Sequence, residues 1–332
     1  MELRNVTNFI IWDESAIVSL ERMKPIRAAV VQAAPVLFDK QATLQKVARL
    51  LEQASDKGAQ LCVFPEAFIS AYPKGLDFGA TLGRRTPEGR KWFRRYWDSS
   101  IDVPGEETAA MGAMAARHHM HMVIGVMERD GGTLYCTALF YDDSGKLLGK
   151  HRKVMPTAME RVVWGFGDGS TLQVMNTDIG KIGAAICWEN YMPLLRTSLY
   201  AQGVELYCAP TVDDRPTWEP TMRHIAIEGR CFVLSAVQYL TAADLPTDYG
   251  VPIEKAGIRG GSMIVDPFGT VLAGPVFDKE CILTADLNPE VILEGKYDLD
   301  VTGHYARPDI FRLDVNTKAT PAVRFEESES IG

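Results

Sequence analysis

The sequence predicts a layered α/β domain whose sheets mix parallel and antiparallel strands. Apolar runs of strand length alternate with stretches of helical periodicity from residue 26 onward. Turn signals such as DSGK join neighbouring runs as hairpins, which a purely parallel sheet does not contain. No Ser/Gly-rich linker or shift in composition divides the chain, so one domain is expected.

In order, IRAAVVQAAP (26–35) reads as a strand, ATLQKVARLLEQASDKG (42–58) as a helix ending on glycine, and AQLCVFPEAF (59–68) as a buried strand broken by Pro65. A basic helix around GRKWFRRYWDSS and a second around TAAMGAMAARHH lead into strands HMVIGVMER and TLYCTALFYD. The second half repeats the logic: strand KIGAAIC, helix LLRTSLYAQG, strand VELYCAP, helix EPTMRHIAIEGR, strand CFVLSAVQ. In that last helix Met222, Ile225, Ala226 and Gly229 share one face. GGSMIVDPFGTVLAG and ECILTADL are expected to flank a turn.

Of 332 residues, 46% are apolar and 23% charged, the balance of an ordinary folded protein. A net charge of -8 disfavours nucleic acid, whose binding rests on clustered Lys and Arg. No apolar run approaches the roughly 18 residues of a spanning helix, and NFIIWDESAIV lacks the basic and apolar regions of a signal peptide. A cytoplasmic protein without a membrane partner is expected. The six cysteines form no CxxC pair, which favours reduced thiols. His118, His119 and His121 have no carboxylate or cysteine at ligand spacing, so no metal is expected there.

Four residues could carry chemistry. Cys187 stands where strand KIGAAI runs into the polar and aromatic CWEN; a free thiol is mostly protonated at neutral pH, so a nucleophile there needs a base or cation. Glu66 ends a buried strand, Lys153 follows a hairpin strand, and Glu160 comes seven residues later. Taken singly they have plain readings: a core thiol, a loop carboxylate, a surface lysine and an ion pair with Arg161. A Cys/His pair through His151 or His224 lacks an orienting Asp or Asn.

Together and in this order, FPEAF, KHRKVMPTAMERVVWGFGDGS and AAICWENYMP resemble the nitrilase superfamily, and its nitrilase branch in particular. MRHIAIEGRCFVLSA and GHYARPD extend the resemblance from Ile26 to about Phe311. The resemblance implies a four-layer αββα sandwich over residues 25–311, with 1–24 as an N-terminal extension and 312–332 as a tail ending in the acidic FEESES. It implies catalysis by Glu66, Lys153 and Cys187 with Glu160 nearby, and a substrate pocket near Tyr72, Thr157, Trp164, Trp188 and Tyr191. Trp188 would then wall the thiolate, and the sequence CWE favours nitrile hydrolysis over the amidase or carbamoylase branch. An amidase, a cyanide-hydrolysing relative and a silent assembly protein on the same scaffold are the alternatives. The same resemblance implies that no cofactor is needed, and that homodimers pair through helices near the nucleophile strand and build larger oligomers or spirals.

Overall fold

Successive side chains of the first strand enter two different cores. Ala28 and Val30 join one apolar cluster, Ala29 and Val31 another, as the two-residue period of a strand requires. The computed structural model describes residues 25–323; the expected N-terminal extension and FEESES lie outside the described residues.

In chain order the strands are β1 Ile26–Gln32, β2 Leu61–Val63, β3 Ala80–Thr81, β4 Arg84–Arg85, β5 His121–Asp130, β6 Thr133–Tyr141, β7 Leu147–Arg152 and β8 Met175–Thr177. Then follow β9 Gly180–Ala184, β10 Leu206–Cys208, β11 Phe232–Ser235, β12 Tyr239–Leu240, β13 Ile258–Val265, β14 Val271–Phe277 and β15 Cys281–Leu287. One sheet runs β15-β1-β2-β5-β6-β7; the other runs β12-β13-β11-β10-β9-β8, with β14 on β13. Strands β1, β2 and β5 are parallel, as are β9, β10 and β11, and the remaining pairs of these sheets are antiparallel.

The sheets meet face to face. Ala28, Val30 and Val63 of the first pack with Leu206, Cys208, Leu234 and Ile264 of the second. The outer face of the first sheet is covered by helices Lys40–Asp56 and Glu106–Arg117, through Leu44, Val47, Leu51, Met111 and Ala115. Helices Pro193–Ala201 and Trp218–Gly229 cover the second through Leu195, Leu199, Met222 and Ile225. The order is αββα, with each buried leucine contributing about 1.5 to 3 kcal/mol. Helix Lys40–Asp56 forms because its apolar residues recur at helical spacing and Asp39 caps it, accepting from Ala42 N at 2.9 Å.

One side chain ties the two sheets. Gln32 is buried; its Oε1 accepts from Gly261 N and Ser262 N, each at 2.8 Å, and its Nε2 donates to Val276 O and Lys279 O. Gly260 makes room for it: its φ is +87°, and a Cβ there would lie 2.4 Å from the Gln32 amide.

Several expectations change. The hairpin at DPFG joins β13 to β14, while the segment ECILTADL crosses to the first sheet and pairs with β1. The strand expected at 59–68 is regular over Leu61–Val63 alone, because Pro65 and the left-handed Ala67 (φ +48°) turn the chain. A helix at Glu290–Lys296 was not foreseen. His121 Nε2 lies 3.0 Å from Asp178 Oδ1, and Asp143 is close by; chain folding supplies the carboxylates that local spacing lacks. All six cysteines are free thiols, and among the described residues no helix is long and apolar enough to cross a membrane.

Candidate active site

Strand ends from both sheets converge on one buried charged group. Beyond β2 the chain pairs once more, Phe64 N donating to Val123 O, and then turns at Pro65 above Gly125. A Cβ on Gly125 would sit 2.3 Å from Pro65 O, so the close approach needs glycine. Gln238 Nε2 holds the Glu66 carbonyl at 2.7 Å, and the Glu66 carboxyl is fully buried.

Lys153 follows β7, its N–H bonded to Cys136 O at 2.8 Å. Its ammonium donates to Glu66 Oε1 at 2.7 Å and to Glu160 Oε2 at 2.8 Å, and sits 5.4 Å from the Trp164 ring centre. Glu160 therefore pairs with Lys153, where its neighbour Arg161 was the plain alternative. Thr157 N donates to the same Oε2 at 2.6 Å and Tyr72 Oη to Oε1 at 2.7 Å.

Cys187 lies three residues beyond the end of β9, in the left-handed region at φ +52°. Its N–H donates to Pro210 O at 2.9 Å, and its carbonyl accepts from Asn190 Nδ2 at 2.8 Å. For a non-glycine residue this backbone is strained and persists because the surroundings fix it.

The electrostatics are mutual. Burial raises Glu66 to about 7, against the pull of the Lys153 charge, and the Cys187 thiol is among the weaker influences lowering it. Burial and then Glu66 push the Cys187 thiol well above its ordinary value, with Lys153 and the Thr211 hydroxyl opposing. Burial works against charge on Lys153, but Glu66, Cys187 and Glu160 more than offset it and hold the ammonium charged. Above about pH 7 the resting group is a protonated thiol beside a lysine-bound carboxylate. A base within reach can take the thiol proton when an electrophile arrives.

Tyr72 and Trp164 meet edge to face at 5.6 Å and, with Glu160, Leu76, Phe78 and Val163, line a cavity of about 320 Å³. Trp188 and Tyr191 belong to another cluster. Trp188 is 41% exposed, its indole N–H bonded to Asp213 Oδ2 at 3.0 Å with the Arg215 guanidinium over its ring, so it faces Asp213 and Arg215. Tyr191 packs between Trp188 and Trp218. His151 gives Nε2 to Glu189 and His224 sits exposed near Glu228, which removes both from a Cys/His pair.

The sequence reading missed Gln238, Thr211 and Glu189. Glu189 alone left a signal, as a carboxylate two residues after the thiol and close behind the apolar run KIGAAI.

Fold and site together define an αββα hydrolase with a buried thiol, lysine and glutamate at its strand ends. The chain matches the carbon-nitrogen hydrolase family over residues 27–297 and belongs to it. It is 55% identical to an aliphatic nitrilase of Sinorhizobium fredii, over 91% of this chain and 99% of that one. It is 52% identical to the bifunctional nitrilase/nitrile hydratase NIT4B of Nicotiana tabacum, over 92% and 90%. Among solved structures, the C. elegans NitFhit protein shares the fold with a TM-score of 0.70 at 21% identity, covering 90% of this chain and 69% of that one.

Proposed function

We propose that this protein is a nitrilase that converts an organic nitrile to the carboxylic acid and ammonia, with Cys187 as nucleophile. The observation that carries the catalytic assignment is the Glu66–Lys153–Glu160 chain of hydrogen bonds buried beside the Cys187 thiol. Likeness to two nitrilases along nearly their whole length supports the reaction class.

Glu66 takes the thiol proton as sulfur bonds to the nitrile carbon and passes it to the nitrogen, which gives a neutral thioimidate and restores the Glu66 carboxylate. Glu66 then activates a water, which adds to the same carbon. The tetrahedral intermediate expels ammonia and leaves a thioester; a second water releases the acid and restores the thiol. Lys153 stabilises the charge that develops first on nitrogen and then on oxygen. Glu160, fixed by Tyr72 and Thr157, holds Lys153 in place. The 320 Å³ cavity beside Glu160 is the place for the organic part of the substrate.

A second product has one observation in its favour, the bifunctional name of the tobacco relative. If the tetrahedral intermediate expels the thiol instead of ammonia, the product is the amide and only one water is consumed. Lys153 and Glu66 stabilise charge at that branch, and acid is expected to predominate.

The deciding experiment measures ammonia, acid and amide from aliphatic, arylacetic and aromatic nitriles and from the matching amides. Rapid nitrile hydrolysis to acid supports the reading. Fast cleavage of amides with none of nitriles moves the protein to the amidase branch.

Assembly belongs to the same proposal. Leu194 on the helix after the nucleophile, and Tyr305 and Phe311 in the C-terminal segment, are exposed apolar side chains. A homodimer that covers them and builds larger oligomers agrees with the resemblance. A cytoplasmic location is likewise proposed from the composition and reduced cysteines.

A further inference from the structure

Glu189 takes no part in the proposed chemistry, yet its carboxylate grips the backbone on both sides of it. Oε2 accepts from Ile186 N at 2.7 Å, and Ile186 immediately precedes Cys187. Oε1 accepts from Val154 N at 2.6 Å, and Val154 immediately follows Lys153. One buried side chain thus joins the segment that carries the thiol to the segment that carries the ammonium.

His151 completes the arrangement. Its Nε2 lies 2.9 Å from Glu189 Oε2, and its Nδ1 lies 3.3 Å from Thr171 O, which can only accept. An acceptor thus faces each ring nitrogen, a setting that favours hydrogen on both. Burial opposes the resulting charge, and the Glu189 carboxylate more than offsets it, raising the His151 pKa. Both side chains are 99% or more buried.

We infer that Glu189 and His151 form a positioning pair that fixes the span between the Cys187 thiol and the Lys153 ammonium; this rests on the catalytic assignment proposed above. A buried ion pair is a poor device for stability alone, since apolar residues of the same volume often serve as well. A carboxylate supplies what an apolar residue cannot: two directed acceptors, each matched to a particular N–H. Cys187 needs such restraint because its left-handed backbone relaxes unless both flanks are held. Asn190 holds the other flank, donating to Ala185 O at 2.9 Å and Cys187 O at 2.8 Å, while Arg196 fixes the Asn190 carbonyl. A misplacement near 1 Å costs a factor of about 100 in rate.

The test compares Glu189→Gln, His151→Ala and His151→Gln in the full-length protein, each well below its own melting temperature. Glutamine at 189 keeps one acceptor and turns an NH₂ toward the other N–H. At 151 glutamine still donates to Glu189 without a ring charge. For Glu189→Gln we expect kcat to fall about 100-fold with KM within about threefold, and for His151→Ala about tenfold. His151→Gln is expected to recover kcat to within about threefold of the parent. A Glu189→Gln enzyme with kcat within about threefold of the parent overturns the proposal. So does a His151→Gln enzyme as slow as His151→Ala, or a loss of kcat fully accounted for by the unfolded fraction. If Glu189→Gln fails to fold, the His151 pair decides alone. Cys187→Ala is run in parallel: its activity reports on the catalytic assignment and is independent of whether Glu189 positions the site.

Discussion

Lys153 binds Glu66 through Oε1 alone, and Glu66 Oε2, also buried, has no hydrogen-bond partner among the described residues. One oxygen anchors the cation while the other remains open to a proton. Glu66 accepts that proton only when ionised, and burial places its titration above the ordinary carboxylate range. Activity is therefore expected to fall as pH drops through neutrality, with an apparent midpoint near 7. A profile of kcat/KM for ammonia release against pH checks this. Glu66→Gln, which cannot take the proton, is expected to lose about 100-fold or more at every pH.

Cys187→Ala removes the atom that bonds to substrate and is expected to abolish turnover while the fold persists. Cys187→Gly is expected to be equally inactive but more stable than Cys187→Ala by about 1 kcal/mol, because glycine adopts the φ of +52° without strain. Thermal melts of the two dead variants provide the comparison, and a higher melting temperature for the alanine variant refutes the strain argument.

Tyr72→Phe deletes the hydroxyl bonded to Glu160 and leaves a partly buried carboxylate oxygen without that donor. Loss of such a bond costs about 1 to 3 kcal/mol, so kcat is expected to fall about tenfold as Glu160 loosens its hold on Lys153. Steady-state kinetics on the preferred nitrile measure it; an unchanged kcat detaches Tyr72 from the charged group.

Gly260→Ala drives a methyl into the Gln32 amide at a backbone angle that alanine resists. We expect a stability loss of about 2 kcal/mol or more, from overpacking and backbone strain together. Denaturant titration reads it directly.

Truncation after Val301 removes Tyr305 and Phe311, and with them the Thr320 N–H bond to Asp168 Oδ2 at 2.7 Å. The full chain is expected to be a dimer or larger, and the truncated one to lose both size and activity. Light scattering after size exclusion decides, and a fully active monomer of the full chain at low micromolar concentration rejects the assembly.

What could be read from the sequence was local. Glu66, Lys153, Glu160 and Cys187 each sit in a short run whose chemistry is visible without its neighbours, and the structure brings these runs together. Relations across the chain were not legible. Gln238 reaches Glu66 over 172 residues, and nothing in CFVLSAVQ distinguishes that glutamine from any strand-end polar residue. Trp188 reads as apolar from its identity, but its orientation depends on Asp213 and Arg215, which a later loop supplies. Periodicity identified ECILTADL as a strand and could not name its partner, since alternation records only which faces are covered.

That partner matters while the protein is being made. β1 pairs with β2 early, but its other edge is closed only by β15, whose Cys281 and Leu287 meet Gln32 and Ile26. On the ribosome the first sheet must wait for almost the whole chain, with the edge of β1 open to whatever strand it meets first. Chains stalled before residue 281 are thus expected to be drawn to chaperones or to one another, and those released after residue 287 to close the sheet.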